Sequence, residues 1–72
     1  MISYYFTLAY PLTPEQQIAL LALMDYDGTI TMGLNGEFFD YELTYMDETF
    51  PENCGPHPIA QWIDDNNIER MD

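Results

Sequence analysis

Residues 29–45, TITMGLNGEFFDYELTY, decide the fold. In the first half Ile30, Met32 and Leu34 alternate with Thr29, Thr31 and Gly33. In the second half Phe39, Tyr41, Leu43 and Tyr45 alternate with Asp40, Glu42 and Thr44. A period of two places successive side chains on opposite faces of a strand, so each run offers one apolar face. Between the runs stands Asn35-Gly36, the strongest short-range hairpin signal, because a type I′ turn needs positive φ at both central positions. The stretch therefore predicts an antiparallel hairpin, its second strand running from Glu37 to about Met46.

On the N-terminal side, residues 2–10, ISYYFTLAY, read as another strand. Ile2, Tyr4, Phe6, Leu8 and Tyr10 share one face, Ser3, Tyr5, Thr7 and Ala9 the other, and Pro11 ends the run. A helix start follows, with Thr13 as N-cap, Pro14 at the first helical position and Gln16 completing a capping box. The helix runs to about Met24, its buried stripe expected from Ile18, Leu21 and Ala22 and widened by Leu20, Leu23 and Met24. A helix so apolar must lie against a sheet or a second subunit. Asp25-Tyr26-Asp27-Gly28 reads as a turn. Residues 47–57, DETFPENCGPH, are a Pro-, Gly- and Asn-rich loop. A short second helix begins near Pro58 with Ile59, Trp62 and Ile63 at helical spacing, and Asn66-Asn67 closes it. Residues 68–71 are either a short edge strand or a tail. The order β-α-β-β-α, with or without a last β, is that of a ferredoxin-like α+β fold: an antiparallel sheet with two helices on one face.

The chain is a single domain of 72 residues, and below about 70–80 residues one core supplies only a few kcal/mol of net stability. Its 13 acidic residues face one cation, Arg70, for a formal charge of -12. Such self-repulsion disfavours any compact state, so a saline solvent or a cationic partner must be the reason for it. Disordered acidic segments are poor in apolar residues, whereas 47% of this chain is hydrophobic, with six Tyr, four Phe and one Trp. The charge thus sits on a packed scaffold. Cys54 is the sole cysteine, so no internal disulfide forms, and a reduced cytosolic thiol is expected. The N-terminus lacks a basic region and Pro11 interrupts its apolar run, so no signal peptide is read, and no stretch approaches the ~18–20 apolar residues of a membrane span. The expected location is cytoplasmic.

Asp25-Tyr26-Asp27-Gly28-Thr29 resembles the D-x-D-G-T motif of the haloacid dehalogenase phosphotransferases, in which the two Asp are nucleophile and acid/base. That family places its motif after a buried strand and needs a downstream cation. Here the string follows a helix, so a helix-to-strand turn is the preferred reading. As an EF-hand loop it fails, with Ile30 where Gly and Gly36 where Glu should stand. One Cys and one His do not make a structural zinc site. His57 is read as a loop residue and Ser3 as part of a strand. No cofactor, metal or catalytic constellation is expected, and direct nucleic-acid binding is excluded by the lack of Lys and Arg.

The acid pattern suits a basic binding cleft. Duplex DNA presents such a cleft with about one negative charge per 1.7 Å of axis. Asp40 and Glu42, two residues apart on one strand face, hold carboxylates at a fixed spacing of about 6.5–7 Å, with Glu37 at the strand's start. Asp47, Glu48 and Glu52 supply a second group, and Asp64, Asp65, Glu69 and Asp72 a third. Tyrosines are frequent interface anchors, and Tyr5 and Tyr45 are the candidates here, with Tyr10 and Tyr26 also in excess of what so small a core holds. In size, charge and aromatic content the chain resembles phage-encoded DNA-mimic inhibitors of the anti-CRISPR and anti-restriction class and inhibitors of uracil-DNA glycosylase. The resemblance implies a non-enzymatic inhibitor that occupies the DNA- or RNA-binding cleft of a host defence protein. The alternatives are an acidic adaptor or antitoxin-like module for a basic protein, and a halophilic protein whose charge serves solubility. A basic nucleic-acid-binding protein is the expected partner, a second copy of the chain the other one considered.

Overall fold

A computed structural model describes residues 1–50 and 55–71. Five elements follow in the order β1 (Ile2–Leu8), α1 (Pro14–Leu23), β2 (Thr29–Asn35), β3 (Phe38–Tyr45) and α2 (Pro58–Asp65). The fold is a small α+β arrangement in which β3 lies between β1 and β2, antiparallel to both. The strand alternation read from the sequence sets the two faces. Phe6, Leu8, Tyr41, Leu43 and Tyr45 point to one side and meet Leu20 and Met24 of the α1 segment and Ile59 and Ile63 of α2 in one buried cluster. Both helices therefore cover the same face of the sheet.

The helix ends are built from their own sequences. Thr13 accepts from the Gln16 amide at 3.1 Å while the Gln16 side chain accepts from the Thr13 amide at 2.9 Å, the expected capping box. At the other end Tyr26 N–H donates to the Leu21 carbonyl and Asp25 N–H to that of Ala22, a Schellman closure with Asp25 left-handed at φ 56°. α2 closes the same way, Ile68 N–H donating to Ile63 and Asn67 N–H to Asp64, with Asn67 at φ 55°. Asn tolerates that conformation better than most residues.

Several expectations are corrected. β1 stops at Leu8, and Tyr10, expected on its apolar face, is 76% exposed. The buried side of α1 is Leu20 with Met24 beyond it, not Ile18 and Ala22: Ile18 is 59% exposed. Apolar residues surround this helix, so periodicity cannot choose its inward side. Just before the helix the buried Leu12 amide donates to the Tyr41 hydroxyl at 2.9 Å, tying the entry of α1 to the sheet. In the hairpin Asn35 pairs with Phe38, so the two-residue turn is Gly36-Glu37. Gly36 at φ 65° is left-handed and Glu37 is not, which is the II′ pattern in place of the I′ turn expected at Asn35-Gly36. Residues 68–71, read as either a short edge strand or a tail, make a single bridge: Arg70 pairs antiparallel with Leu8, and Met71 N–H donates to the Thr7 carbonyl at 2.8 Å. Among the described residues no helix is long and apolar enough to cross a membrane.

Candidate functional site: an acidic sheet face

Among the described residues, no helix lies on the second face of the sheet. Register places Tyr5 opposite Glu42 opposite Thr31, Thr7 opposite Asp40 opposite Gly33, and Ser3 opposite Thr44 opposite Thr29. The two carboxylates thus stand on the central strand, framed by hydroxyl groups. Those hydroxyls hold them: Thr7 Oγ1 donates to Asp40 Oδ1 at 2.7 Å, and Tyr5 OH donates to Glu42 Oε2 at 2.8 Å. Charge-assisted bonds of this length are the strong kind, though Tyr5 is largely solvated. The Tyr5 phenol is raised above its ordinary range, first by that bond and then by the Glu42 charge. Tyr5, Thr7, Asp40 and Asn35 also line a shallow depression of ≈ 350 Å³.

Further carboxylates flank the central strand at both ends. Glu37 is exposed in the hairpin turn, and Asp47 and Glu48 are exposed just past Tyr45. Asp47 Oδ1 lies 3.1 Å from the Met1 ammonium, an exposed pair that adds little stability. The third group does not join them. Asp64 and Asp65 end α2 on the helix-bearing side, where Gln61 Nε2 donates to Asp65 Oδ1 at 2.8 Å, and Glu69 precedes the Arg70 bridge. Glu52 and Asp72 lie outside the described residues, as does Cys54.

Tyr45 is a correction among the anchor residues. It is only 3% exposed, because it belongs to the apolar face of β3, and so presents no surface to a partner. Its hydroxyl lies 3.0 Å from His57 Nε2. His57 is more than a loop residue: it is the N-cap of α2, and its Nδ1 accepts from the Ile59 amide at 3.1 Å. An accepting Nδ1 leaves the proton on Nε2, so Nε2–H donates to Tyr45. The ring packs against Tyr4 at 4.7 Å and Phe50 at 5.4 Å between centroids. Burial lowers the His57 pKa and raises that of Tyr45, so both groups are kept neutral. This pair serves as a structural joint between β3 and α2.

Asp25 and Asp27 of the dehalogenase-like string are exposed in the turn after α1, where Asp25 serves the helix closure. Among the described residues no three His, Cys, Asp or Glu side chains are grouped so as to hold a metal ion. Thr7, Gly33 and Asn35 were not singled out from sequence as site residues. Strand parity placed Thr7 beside Tyr5, but only the pairing of β1 with β3 joins it to Asp40. No family model, no curated protein and no solved structure matches this chain.

Proposed function

We propose that this protein is a non-enzymatic acidic inhibitor that lays its helix-free sheet face in the nucleic-acid-binding cleft of a basic protein. Host defence proteins, namely CRISPR effectors and restriction nucleases, are the target class, met in the cytoplasm. The observation that carries the reading is the Asp40–Glu42 pair, fixed by Thr7 and Tyr5 on an uncovered sheet face of a chain with charge -12. Carboxylates held in this way can replace phosphates in a groove lined by Lys and Arg. Glu37, Asp47 and Glu48, exposed beyond the two ends of β3, add negative charge near the pair. Capture by such a groove would be electrostatically steered, and hence fast and salt-sensitive. A ferredoxin-like arrangement accords with this: the element order and the Arg70 bridge outside β1 are what a shortened fourth strand would give.

The separate position of Asp64, Asp65 and Glu69 favours a second reading, an adaptor or antitoxin-like module that binds a basic protein without imitating nucleic acid. One experiment separates the two. The tagged protein is used to capture partners from a bacterial lysate at low salt, eluted by a salt gradient, and the recovered protein is titrated against DNA. The inhibitor competes with DNA, and the double variant Asp40→Lys/Glu42→Lys loses both binding and inhibition. A partner that holds DNA and this protein together would support the adaptor. Full binding by the double variant would remove the sheet face from either reading.

A further inference from the structure

β2 is an edge strand with one neighbour, and among the described residues no backbone hydrogen bond leaves its outer side. The other edge of the sheet is partly occupied, since Arg70 and Met71 bond to β1 at Leu8 and Thr7. Natural edge strands are usually blunted by charge, proline or a bulge. β2, TITMGLN, has no charged residue and no proline, and it pairs with β3 without interruption from Thr29 to Asn35. Met32 and Leu34 on it are 47% and 75% exposed.

What lies one strand inward favours a particular occupant. A strand added to β2 would stand two inter-strand spacings, about 9.5 Å, from β3 and its carboxylates. Only long side chains cross that distance. Gly33 lies in register between the edge and Asp40, and a Cβ built on it would meet nothing within 4 Å. The face is therefore notched beside Asp40, next to the depression lined by Asn35 and Asp40.

We infer that the β2 edge accepts, by strand addition, an extended segment of the basic partner, whose lysine or arginine side chains cross Gly33 and Thr31 to reach Asp40 and Glu42. The inference rests on the basic-partner reading above. Backbone bonds would supply affinity and the spacing of the cations selectivity, the usual division in such complexes. A second copy is a poorer occupant. It brings a charge of -12 against -12, and its own β2 has no cation to set over the glycine.

The full chain is tested with two synthetic peptides of equal length and charge, one alternating Lys with Val and one alternating Lys with Pro, which cannot form a ladder. Affinity is read by fluorescence anisotropy at low salt, and hydrogen exchange is followed at the β2 amides. The Lys–Val peptide binds at least about tenfold more tightly and protects the β2 amides. Gly33→Thr fills the notch with a residue that favours strands, so the fold is retained. It weakens the Lys–Val peptide by about tenfold and leaves the Lys–Pro peptide unchanged. Equal affinities without protection of β2, or indifference to Gly33→Thr, overturn the inference. In that event, binding of both peptides that is lost in Asp40→Asn/Glu42→Gln leaves the acidic-face reading standing. Failure of both peptides to bind overturns both readings. Protection of β2 that grows with protein concentration in the absence of peptide, with a dimer seen by light scattering, assigns the edge to a second copy and also overturns it.

Discussion

Replacing Tyr41 by Phe removes one oxygen from the core and little else. The ring stacks on Phe6 at 5.4 Å and 17° between planes, and a phenylalanine keeps that contact. What is lost is the acceptor for the Leu12 amide, 2.9 Å away, at a residue only 5% exposed. A buried amide without a partner costs about 1–3 kcal/mol. A domain of this length has roughly 4–11 kcal/mol in all, at 0.05–0.15 kcal/mol per residue. The substitution therefore removes a substantial share of the stability. At about 4–8 °C per kcal/mol for a domain of this size, the melting temperature falls by roughly 4–24 °C. Urea unfolding should show a lower midpoint with an unchanged slope, since the surface exposed on unfolding is the same. Tyr5→Phe on the open face is the control and should stay within about 0.5 kcal/mol. A Tyr41→Phe protein as stable as its parent would refute the reasoning: the Leu12 amide would then have found another partner, such as water.

Four further outcomes are expected. The lowered His57 pKa means that its contribution to stability is complete above about pH 6.5 and is lost as pH falls through the depressed folded value. His57→Asn keeps an N-cap acceptor without the titration, so the stability of the parent relative to this variant, from urea midpoints, should decline between pH 7.5 and 5; parallel curves would contradict the assignment. Glu42→Gln should return the Tyr5 phenol toward its ordinary value, followed by NMR of labelled tyrosine; no movement would mean that the bond to Glu42 is not made. Gly28→Ala should cost about 1–3 kcal/mol, because its Cβ would lie 2.6 Å from Met24 Sδ and 3.0 Å from the Thr44 carbonyl oxygen; calorimetry reads this. Thermal stability should rise with added NaCl as screening relieves the repulsion among carboxylates, and a flat response would show that repulsion to be unimportant.

Local signals carried most of the fold. Thr13, Pro14 and Gln16 marked the start of α1 because a capping box is made within four residues. The alternation from Phe39 to Tyr45 separated core from open face, and Ile59 and Ile63 were legible as the inner side of α2. What was not legible depended on contacts between distant segments. The inward side of α1 is set by Leu20 and Met24 packing against strands and a helix distant in sequence, and Leu12 meets Tyr41 29 residues away. The hairpin turn shifted by one residue because the register with β3, not the favoured dipeptide, fixes which residues sit at the apex. Asp40 and Glu42 were placed on the open face correctly, but their anchoring by Thr7 and Tyr5 required knowing that β1 pairs with β3. Tyr45 was misplaced since composition counts tyrosines without saying which face each one takes, and the parity of its own strand already pointed inward.

The placement of β3 between β1 and β2 also bears on how the chain folds as it is synthesised. β2 and β3 are joined by two residues and can zip within microseconds of leaving the ribosome. The strand that β1 pairs with is β3, its residues 31 to 43 positions away, from Leu8 with Phe39 to Ile2 with Tyr45. At about 5–20 residues per second, the N-terminal strand waits on the order of seconds for its partner. During that interval its three aromatic rings (Tyr4, Tyr5 and Phe6) have no sheet to join. Chaperones that act on nascent chains would find an exposed aromatic segment there.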